Sequence, residues 1–368
     1  MPPRTSKRIL FLYCGGTIGQ VPTVHGTSMV LVPPRDDKKF RSVCMPILET
    51  LSEIANMQVT FELVTTKDSS NMTPNDWVKI IFRVKKAQDE EGYDAVGIAH
   101  GTDTLAYTAV ALALALHGKD PSKSGLRIPV CMTGAQNTIH QHGGDGRFNL
   151  ENLFRTLQAA MEIGVADVLV NFWNRVLLGC RALKVSERDF DAFHSPSFQD
   201  VGTIDANGIQ LFSHLLRKKQ DSAPTIALAP KFGRGVMSIE LAPGIEPTTI
   251  LGFITGGGVN VMIFKSLGEG NVCSEGEYSL LPVIKEAAHE YSTPILITTK
   301  FVGGSAVATH YETGLKAIEA GAIPCYDHTD VAVDVKARWL LGNAICSDVE
   351  GFRKAMATSY AGEVTQPK

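Results

Sequence analysis

Short apolar runs separated by longer helix-like segments dominate the first half of this chain. The runs occupy residues 9–13, 59–63, 95–99, 130–132 and 168–172. Strands that are buried on both faces have this composition, and their alternation with helices is typical of βαβ units. The pattern therefore predicts an α/β fold whose main sheet is largely parallel and flanked by helices.

Four of these runs lead into turns of glycine and small polar residues. The turns read Gly15-Gly16-Thr17, His100-Gly101-Thr102-Asp103, Thr133-Gly134-Ala135-Gln136 and Asn174-Arg175. In open α/β sheets, ligands bind beyond the carboxyl ends of the strands. We therefore expect these turns to converge on one site.

Two helices are indicated by their start signals and composition. Thr73 can cap a helix, Pro74 suits the first helical position and Asp76 complements the positive end, so a helix is predicted from here to about Glu91. An alanine- and leucine-rich pattern over residues 105–116 predicts another helix directly after one of the turns.

A polar run without hydrophobic period, residues 217–224, interrupts the pattern and is our candidate linker. We divide the chain into a larger N-terminal domain (1–212), a linker (213–233) and a smaller C-terminal α/β domain (234–368), in keeping with the 368-residue length. In the second domain we expect strand-like segments at 250–254 and 295–299 and a last helix near 349–361.

Composition limits the classes of binding partner and the cellular compartment that we expect for this chain. A net charge of −3 from 35 basic and 38 acidic residues leaves no basic face for nucleic acid. Seven cysteines, with no CxxC pair and no histidine at metal-ligand spacing, indicate a reducing, cytoplasmic setting without a metal site. The run at 9–13 is too short for a signal peptide, and none approaches the ~20 residues of a membrane span.

Cys14, in Tyr13-Cys14-Gly15-Gly16-Thr17-Ile18-Gly19, places a thiol at the end of a predicted strand, beside glycines that let a ligand approach the backbone. The G-x-G-x-x-G motif of a dinucleotide site is absent, which argues against the alternative hypothesis of a nucleotide-binding oxidoreductase. A buried structural cysteine is the alternative interpretation, since free cysteines are commonly inert.

Three further groups are candidates for chemistry, each with a plain structural alternative. In His100-Gly101-Thr102-Asp103-Thr104 a hydroxyl and a carboxylate lie beside helix amides that stabilise an anion, although Asp103 or Thr104 could simply be the N-cap. Ser69 and Ser70 precede a helix, where serines usually serve as caps. Lys184 is a lone lysine that is either solvated or able to shuttle protons near Asp103.

Several of these segments, in order, resemble the bacterial-type L-asparaginases, closest to the cytoplasmic (type I) class. The similarity covers nearly the whole chain. It includes the motif at 13–19, His-Gly-Thr-Asp-Thr at 100–104, and further stretches at 68–74, 130–136, 190–196 and 362–365. The resemblance implies a two-domain asparaginase fold and hydrolysis of L-asparagine to L-aspartate and ammonia, without metal or organic cofactor. It also implies a homodimer or homotetramer, whereas it is the charge balance and the short apolar runs that argue against a nucleic-acid or membrane partner.

The resemblance also implies roles for individual residues. Cys14 stands at the position of the nucleophile that forms the acyl-enzyme, and Thr102, Asp103 and Lys184 align with the proton relay. Asp103 is also expected to hold the substrate amino group, and Ser69 to hold its α-carboxylate. Substrate contacts are thus expected from Ser69, Ser70, Thr102, Asp103 and Gln136.

Two departures from the family pattern concern the nucleophile. The family has threonine where this chain has Cys14, and a thiol is far more acidic than a hydroxyl. The family's loop tyrosine, which activates the nucleophile, has no counterpart in residues 20–29. Two alternatives therefore remain open: a catalytically impaired relative that binds a small amino acid, and an amidase for another amide such as glutamine or that of a charged tRNA.

Overall fold

The computed structural model describes residues 6–33, 38–220 and 228–365. Its strands are β1 (Lys7–Cys14), β2 (Val21–His25), β3 (Ser28–Val32), β4 (Met57–Leu63), β5 (Ala95–His100), β6 (Val130–Thr133), β7 (Val168–Phe172), β8 (Arg175–Leu178), β9 (Leu183–Lys184), β10 (Phe193–His194), β11 (Gly202–Asp205), β12 (Gly208–Leu211), β13 (Val236–Glu240), β14 (Val261–Ser266), β15 (Ile295–Thr299) and β16 (Ile323–Pro324). Its α-helices are α1 (Lys38–Ala55), α2 (Pro74–Asp89), α3 (Thr102–His117), α4 (Asp145–Glu162), α5 (Pro247–Thr255), α6 (Leu281–His289), α7 (Glu312–Glu319), α8 (Asp330–Gly342) and α9 (Val349–Ala357).

The larger sheet has the strand order β12-β11-β8-β7-β6-β5-β1-β4. The five strands from β4 to β7 are parallel, and the other three are antiparallel to their neighbours. Each of the five predicted apolar runs forms one of the parallel strands. The central strands β5, β6 and β7 are buried along their whole length, which explains why their sequences are continuous apolar runs.

Helices cover both faces of this sheet. Phe11 of β1 contacts Phe40 of α1 and Phe154 of α4, so these two helices lie on one face. The other face is covered by α2 and α3, which pack against each other. The start of α2 is as predicted, because Thr73 and Asp76 form a reciprocal capping box. Side chains of neighbouring strand residues alternate between these two helical layers.

The smaller sheet is parallel throughout, in the order β13-β14-β15-β16. It has its own apolar core, which includes Phe264 and Ile297. The predicted strand at 295–299 is β15. Helix α8 packs both on α3 and on strands of the smaller sheet, and its Trp339 belongs to the core of the larger sheet.

Two expectations in the second half were wrong. The strand-like segment at 250–254 is helix α5, which begins with Pro247 at its first turn and buries Ile250 and Ile254 on one side while Phe253 is exposed. This i, i+4 spacing is helical, but a run of five apolar residues is too short to distinguish a helix from a strand. The last helix ends at Ala357 instead of near 361, because Thr358 is extended and its carbonyl oxygen accepts from Lys336 Nζ instead of continuing the helix.

The candidate linker lies partly outside the described residues, which omit 221–227. Before that gap, Ser213–Leu215 form a 3-10 turn and Lys218 pairs with Val165. The division at 212 and 234 stays a prediction.

Candidate active site

The turn after β1 is wedged between the turns that follow its two neighbouring strands. Gly15 and Gly16 have φ angles of 81° and 91°, which favour glycine. A Cβ on Gly15 would lie 2.2 Å from the carbonyl oxygen of Lys67, and one on Gly16 would lie 2.1 Å from Cα of Gly101. The turns that follow β1 and β5 therefore meet, as predicted for two of the four turns, and any side chain at Gly15 or Gly16 would force the neighbouring segments apart.

Helix α3 begins inside this cluster. Its N-cap is Gly101, so the expectation that Asp103 or Thr104 caps the helix was wrong. Because glycine has no side chain, it leaves the N–H groups of the first turn uncapped. The Thr104 hydroxyl donates instead to the carbonyl oxygen of Ser69 at 2.8 Å and fixes the neighbouring turn to the helix. The amino end of α3 thus offers donors and a positive field to an anionic group.

Lys184 joins the two functional side chains at the start of α3. Its Nζ donates to Thr102 Oγ1 at 2.9 Å and to Asp103 Oδ1 at 2.7 Å. The Lys184 side chain is 21% exposed and that of Asp103 is 60% exposed, so the pair lies at the mouth of the site. The fold thereby brings Lys184 to two residues that lie more than 80 positions away in the sequence. The role of the three as a proton relay stays a prediction.

The Cys14 side chain is fully buried at the end of β1, where Cys14 pairs with His100 of β5. Burial raises the pKa of its thiol well above the usual range, and the carboxylates of Glu62 and Asp76 raise it further. In the described part of the chain no hydrogen bond joins this thiol to Lys184. The thiol is therefore protonated at neutral pH and closed to solvent in this conformation.

Ser69 and Ser70 lie in a 3-10 turn directly before α2. Ser69 is buried and faces Gly101, whereas the Ser70 hydroxyl donates to Asp68 Oδ1 at 2.7 Å. Asp68 is the cap of this turn, so the caps are not the serines themselves. Hydrogen bonds from Ser70 lower the pKa of Asp68, which keeps it a charged acceptor.

Gln136 takes no part in the hydrogen bonds that join Lys184 to Thr102 and Asp103, and it supports a neighbouring loop instead. Its Nε2 donates to the carbonyl oxygens of Ser186 and Asp189, both at 3.2 Å. Its backbone N–H donates to the buried carboxylate of Asp145. Gln136 therefore connects the turn after β6 to the loop that follows Lys184.

Gln20 is a site residue that sequence reasoning missed. It is 6% exposed, its Nε2 donates to Asp68 Oδ2 at 3.2 Å, and its carbonyl oxygen accepts from Thr138 Oγ1 at 2.6 Å. Gln20 thus ties three turns together at the base of the β2-β3 hairpin. Its only sequence signal is its position directly after the first motif. The hairpin itself exposes apolar side chains, among them Val24 and Met29.

A groove of about 530 Å³ opens beside the relay and lies within the size range of small-molecule sites. Its walls include Asp103, Tyr107, Lys184, Glu187 and Asp330. Among the residues that the structure describes, no group of three or more His, Cys, Asp or Glu side chains could hold a metal ion. Across the same ranges, no helix is both long and apolar enough to cross a bilayer.

We predict that His100 makes the fold sensitive to acid. Burial lowers its pKa to about 4 from 6.5, and its neighbours fit a neutral ring that donates from Nδ1 to Gly101 O and accepts at Nε2 from Thr108. The unfolded chain takes up a proton below pH 6.5, whereas the folded chain does so only near pH 4. The contribution of His100 to stability is therefore fully present above pH 6.5. It falls as the pH is lowered, by up to about 1.4 kcal/mol per pH unit.

Urea unfolding of wild type and His100→Gln between pH 7.5 and 5 tests this prediction. The variant should be less stable at pH 7.5, and the gap between the two proteins should narrow as the pH falls. A gap that does not change with pH would contradict it.

The fold and the site define a two-domain α/β protein with a threonine, a lysine and an aspartate at the carboxyl edge of its main sheet. Residues 8–217 match the family described as "Asparaginase, N-terminal", and residues 235–356 match "Glutaminase/Asparaginase C-terminal domain". The chain belongs to the asparaginase family, which confirms the predicted family and fold class.

Relatives of similar length support the same assignment. The chain is 31% identical over 359 residues to "L-asparaginase" from Thermococcus kodakarensis, covering 97% of this chain and 99% of the relative. It is 30% identical over 363 residues to "L-asparaginase 1" from Escherichia coli K12, covering 98% of both. The solved structure of the thermostable L-asparaginase from T. kodakarensis superposes with a TM-score of 0.81 at 28% identity, covering 98% of this chain and 100% of that one.

Proposed function

We propose that this protein hydrolyses the side-chain amide of L-asparagine to L-aspartate and ammonia. The observation that carries the proposal is the Lys184 ammonium, held between the Thr102 hydroxyl and the Asp103 carboxylate at the amino end of α3. Amide hydrolysis needs a proton for the departing nitrogen, and a lysine in contact with a hydroxyl is suited to deliver it. Relatives named L-asparaginase that match the chain along its whole length support the choice of substrate.

In the proposed first step Cys14 is the nucleophile. A C–S bond forms between Sγ and the amide carbon, the carbonyl π electrons move to oxygen, and the thiol proton passes through Thr102 and Lys184 to the amide nitrogen. The C–N bond then breaks, ammonia leaves and a thioester remains. Water attacks the thioester, which releases aspartate and returns the proton to sulfur.

The thiol makes proton delivery the demanding part of this scheme. A thiolate leaves a tetrahedral intermediate more readily than an amine does, so the intermediate reverts unless the nitrogen is protonated first. The raised pKa of Cys14 adds a second demand, because its proton must be removed as the bond forms. Both demands fall on the Thr102-Lys184 pair.

Substrate recognition follows from the charges around the relay. Asp103, whose carboxylate is largely exposed, is suited to the α-amino group, and the buried Ser69 turn beside Gly101 is suited to the α-carboxylate. The uncapped N–H groups at the start of α3 add donors for that carboxylate or for the oxyanion. In this arrangement Gln136 acts by holding the loop after Lys184.

A second candidate function is binding of a small amino acid without turnover. The full burial of the Cys14 thiol favours it, since a nucleophile must reach its substrate. The relay and the serine turn would then serve recognition only. In either case we propose that the protein works as a homodimer or homotetramer in the cytoplasm, a setting supported by the seven unpaired cysteines.

Trapping of the acyl-enzyme distinguishes the two candidates. Purified full-length protein is mixed with millimolar asparagine, quenched in acid and examined by peptide mass spectrometry, while ammonia is measured in parallel. We expect ammonia from wild type and an aspartyl adduct on the peptide that contains Cys14, with neither signal from Cys14→Ala. Asparagine should be compared with glutamine in the same assay.

Two outcomes would count against parts of the proposal. If wild type releases no ammonia but Cys14→Thr does, the binding function stands and the hydrolase proposal fails. If Cys14→Ala is as active as wild type, the nucleophile is another residue, and the Thr102 hydroxyl is then examined by the same trapping experiment with Thr102→Val.

A further inference from the structure

Arg181 is a buried arginine three residues before Lys184, and its guanidinium connects three separate parts of the chain. The residue is 1% exposed. Its Nε donates to Gly362 O at 2.6 Å, its Nη1 lies 3.0 Å from Asp327 Oδ2, and its Nη2 donates to Thr365 Oγ1 at 3.3 Å. The same group lies 4.7 Å from the ring centroid of Phe198. A buried charge with this many partners is held rigidly.

The partners at 362 and 365 belong to a C-terminal strap, residues 359–365, that has no helix or strand of its own. The strap is fixed by a second buried charge, because the Glu363 carboxylate accepts from Lys336 Nζ at 2.8 Å and from the backbone N–H of Ala361 at 2.7 Å. Gly362 has a φ of 92°, and a Cβ there would lie 2.8 Å from Leu178. The strap therefore packs closely on the segment that leads to Lys184.

The part of this segment from Arg181 to Lys184 packs on α3 but lies outside the larger sheet. Arg181 ends a 3-10 turn, Ala182 follows in extended conformation, and β9 consists of Leu183 and Lys184 alone. In the described part of the chain β9 pairs with β10, which is also two residues long, and with no other strand. A ladder this short holds Lys184 weakly, so Arg181 is the nearest charged anchor on the chain before Lys184.

We propose that Arg181 is a positioning residue that, through the C-terminal strap, holds the Lys184 ammonium against Thr102 and Asp103. The inference rests on the proposed function as far as its effect on turnover is concerned. Proton transfer requires distances near 2.6–3.2 Å. A shift of about 1 Å in the backbone of β9 is therefore enough to cost about 10²-fold in rate.

We expect the replacement of Arg181 to change kcat more than KM. Asp103 and Ser69, the groups proposed to hold the substrate, lie on α3 and before α2, and within the described ranges the hydrogen bonds and ion pair of Arg181 go to other residues. Lysine at position 181 keeps the charge but not the planar fork that bonds three segments at once. We therefore expect Arg181→Met to lower kcat about 10²-fold, with KM changed less, and Arg181→Lys to fall between Met and wild type.

The control is Arg353→Met. Arg353 also donates to backbone carbonyls of a distant segment, those of Gly321 and Ala322, but it holds α9 and lies far from β9 in the chain. Its loss should lower the melting temperature and leave kcat unchanged. Thr365→Val and Asp327→Asn each remove one partner of Arg181 and are milder variants for the case that Arg181→Met does not fold.

A second readout does not depend on turnover. Acetylation of Lys184 by acetic anhydride across pH 7–10, followed by peptide mass spectrometry and normalised to the exposed Lys79, reports how tightly the Lys184 ammonium is paired. We expect slow acetylation in wild type and in Arg353→Met, and faster acetylation in the Arg181, Thr365 and Asp327 variants. All rates are measured below the melting temperature of each variant.

The outcomes separate the two proposals. Unchanged kcat and unchanged Lys184 acetylation in folded Arg181 variants would overturn the positioning role and leave the proposed function intact. A wild type that releases no ammonia, together with faster Lys184 acetylation in the Arg181 variants, would overturn the proposed function and support the positioning role.

Discussion

Replacing Lys184 with methionine is expected to lower the rate of ammonia release from asparagine by about 10²–10⁴-fold, the usual contribution of a positioned proton donor. Methionine has similar length and no charge, so the packing of β9 should persist while the contacts of Nζ to Thr102 and Asp103 are lost. The departing nitrogen then lacks its proton, and the Cys14 adduct reverts to substrate. Steady-state ammonia assays with wild type and Lys184→Met measure the effect.

A matched control for this prediction is Lys316→Met. Lys316 is also paired with a carboxylate, that of Glu312, but the pair is on the surface of α7. Its removal should leave ammonia release unchanged and stability nearly so, because exposed ion pairs contribute little. If Lys184→Met keeps more than about a tenth of wild-type activity, the loss of rate is smaller than a positioned proton donor contributes. Lys184 is then not part of the relay.

Replacing Lys336 with methionine is expected to have the largest effect on stability, a loss of about 3–5 kcal/mol. Lys336 and Glu363 are both fully buried, with Nζ and Oε1 2.8 Å apart. Although burial opposes its ionisation, the charge of Lys336 lowers the pKa of Glu363 to about 2. Loss of the lysine therefore leaves an unpaired buried carboxylate.

Further groups lose their partner in the same variant. Lys336 Nζ also donates to the carbonyl oxygen of Thr358 at 2.7 Å and to His328 Nε2 at 3.1 Å. Burial lowers the pKa of His328 to about 3, so its ring is neutral and accepts this bond while Nδ1 donates to Cys325 O. Each of these acceptors is left without a donor, which adds to the cost.

Urea unfolding at pH 7.5 measures this loss, with Glu363→Gln and the double variant completing a cycle. The double variant should be more stable than Lys336→Met, because it removes the uncompensated charge. If Lys336→Met alone costs less than about 1 kcal/mol, the value typical of exposed pairs, the pair is not buried as the structure has it.

The strands of the main sheet could be predicted because burial on both faces leaves a strong local signal. The predicted run at 168–172 coincides with β7, every residue of which is buried. The same logic failed at 250–254, where a short apolar run belongs to α5 and the spacing of Ile250 and Ile254 carried too little information to tell a helix from a strand. The run is buried on one side only, at Ile250 and Ile254, and Phe253 is exposed.

The residues of the site also differ in how well the local sequence predicts them. Cys14, Thr102 and Asp103 could be singled out because they stand at the end of a parallel strand or shortly after one, and Ser69 because it precedes a helix. Lys184 stood out only as a lone lysine, and the family resemblance assigned it to the relay. Gln20 and Arg181 were missed because their partners are far away in the sequence, and no local pattern encodes a bond between residues 181 and 362.

Local composition and residue order were enough to predict the layered α/β architecture and the edge of the sheet at which the turns meet, because strand burial and strand direction depend on them. Which donors reach which acceptors follows from tertiary packing alone. It joined Lys184 to Thr102 and Asp103, closed the Cys14 thiol off from solvent, and buried two charged groups to hold the C-terminal strap. Those contacts depend on packing between distant segments, where differences of about 1 Å separate a hydrogen bond from none.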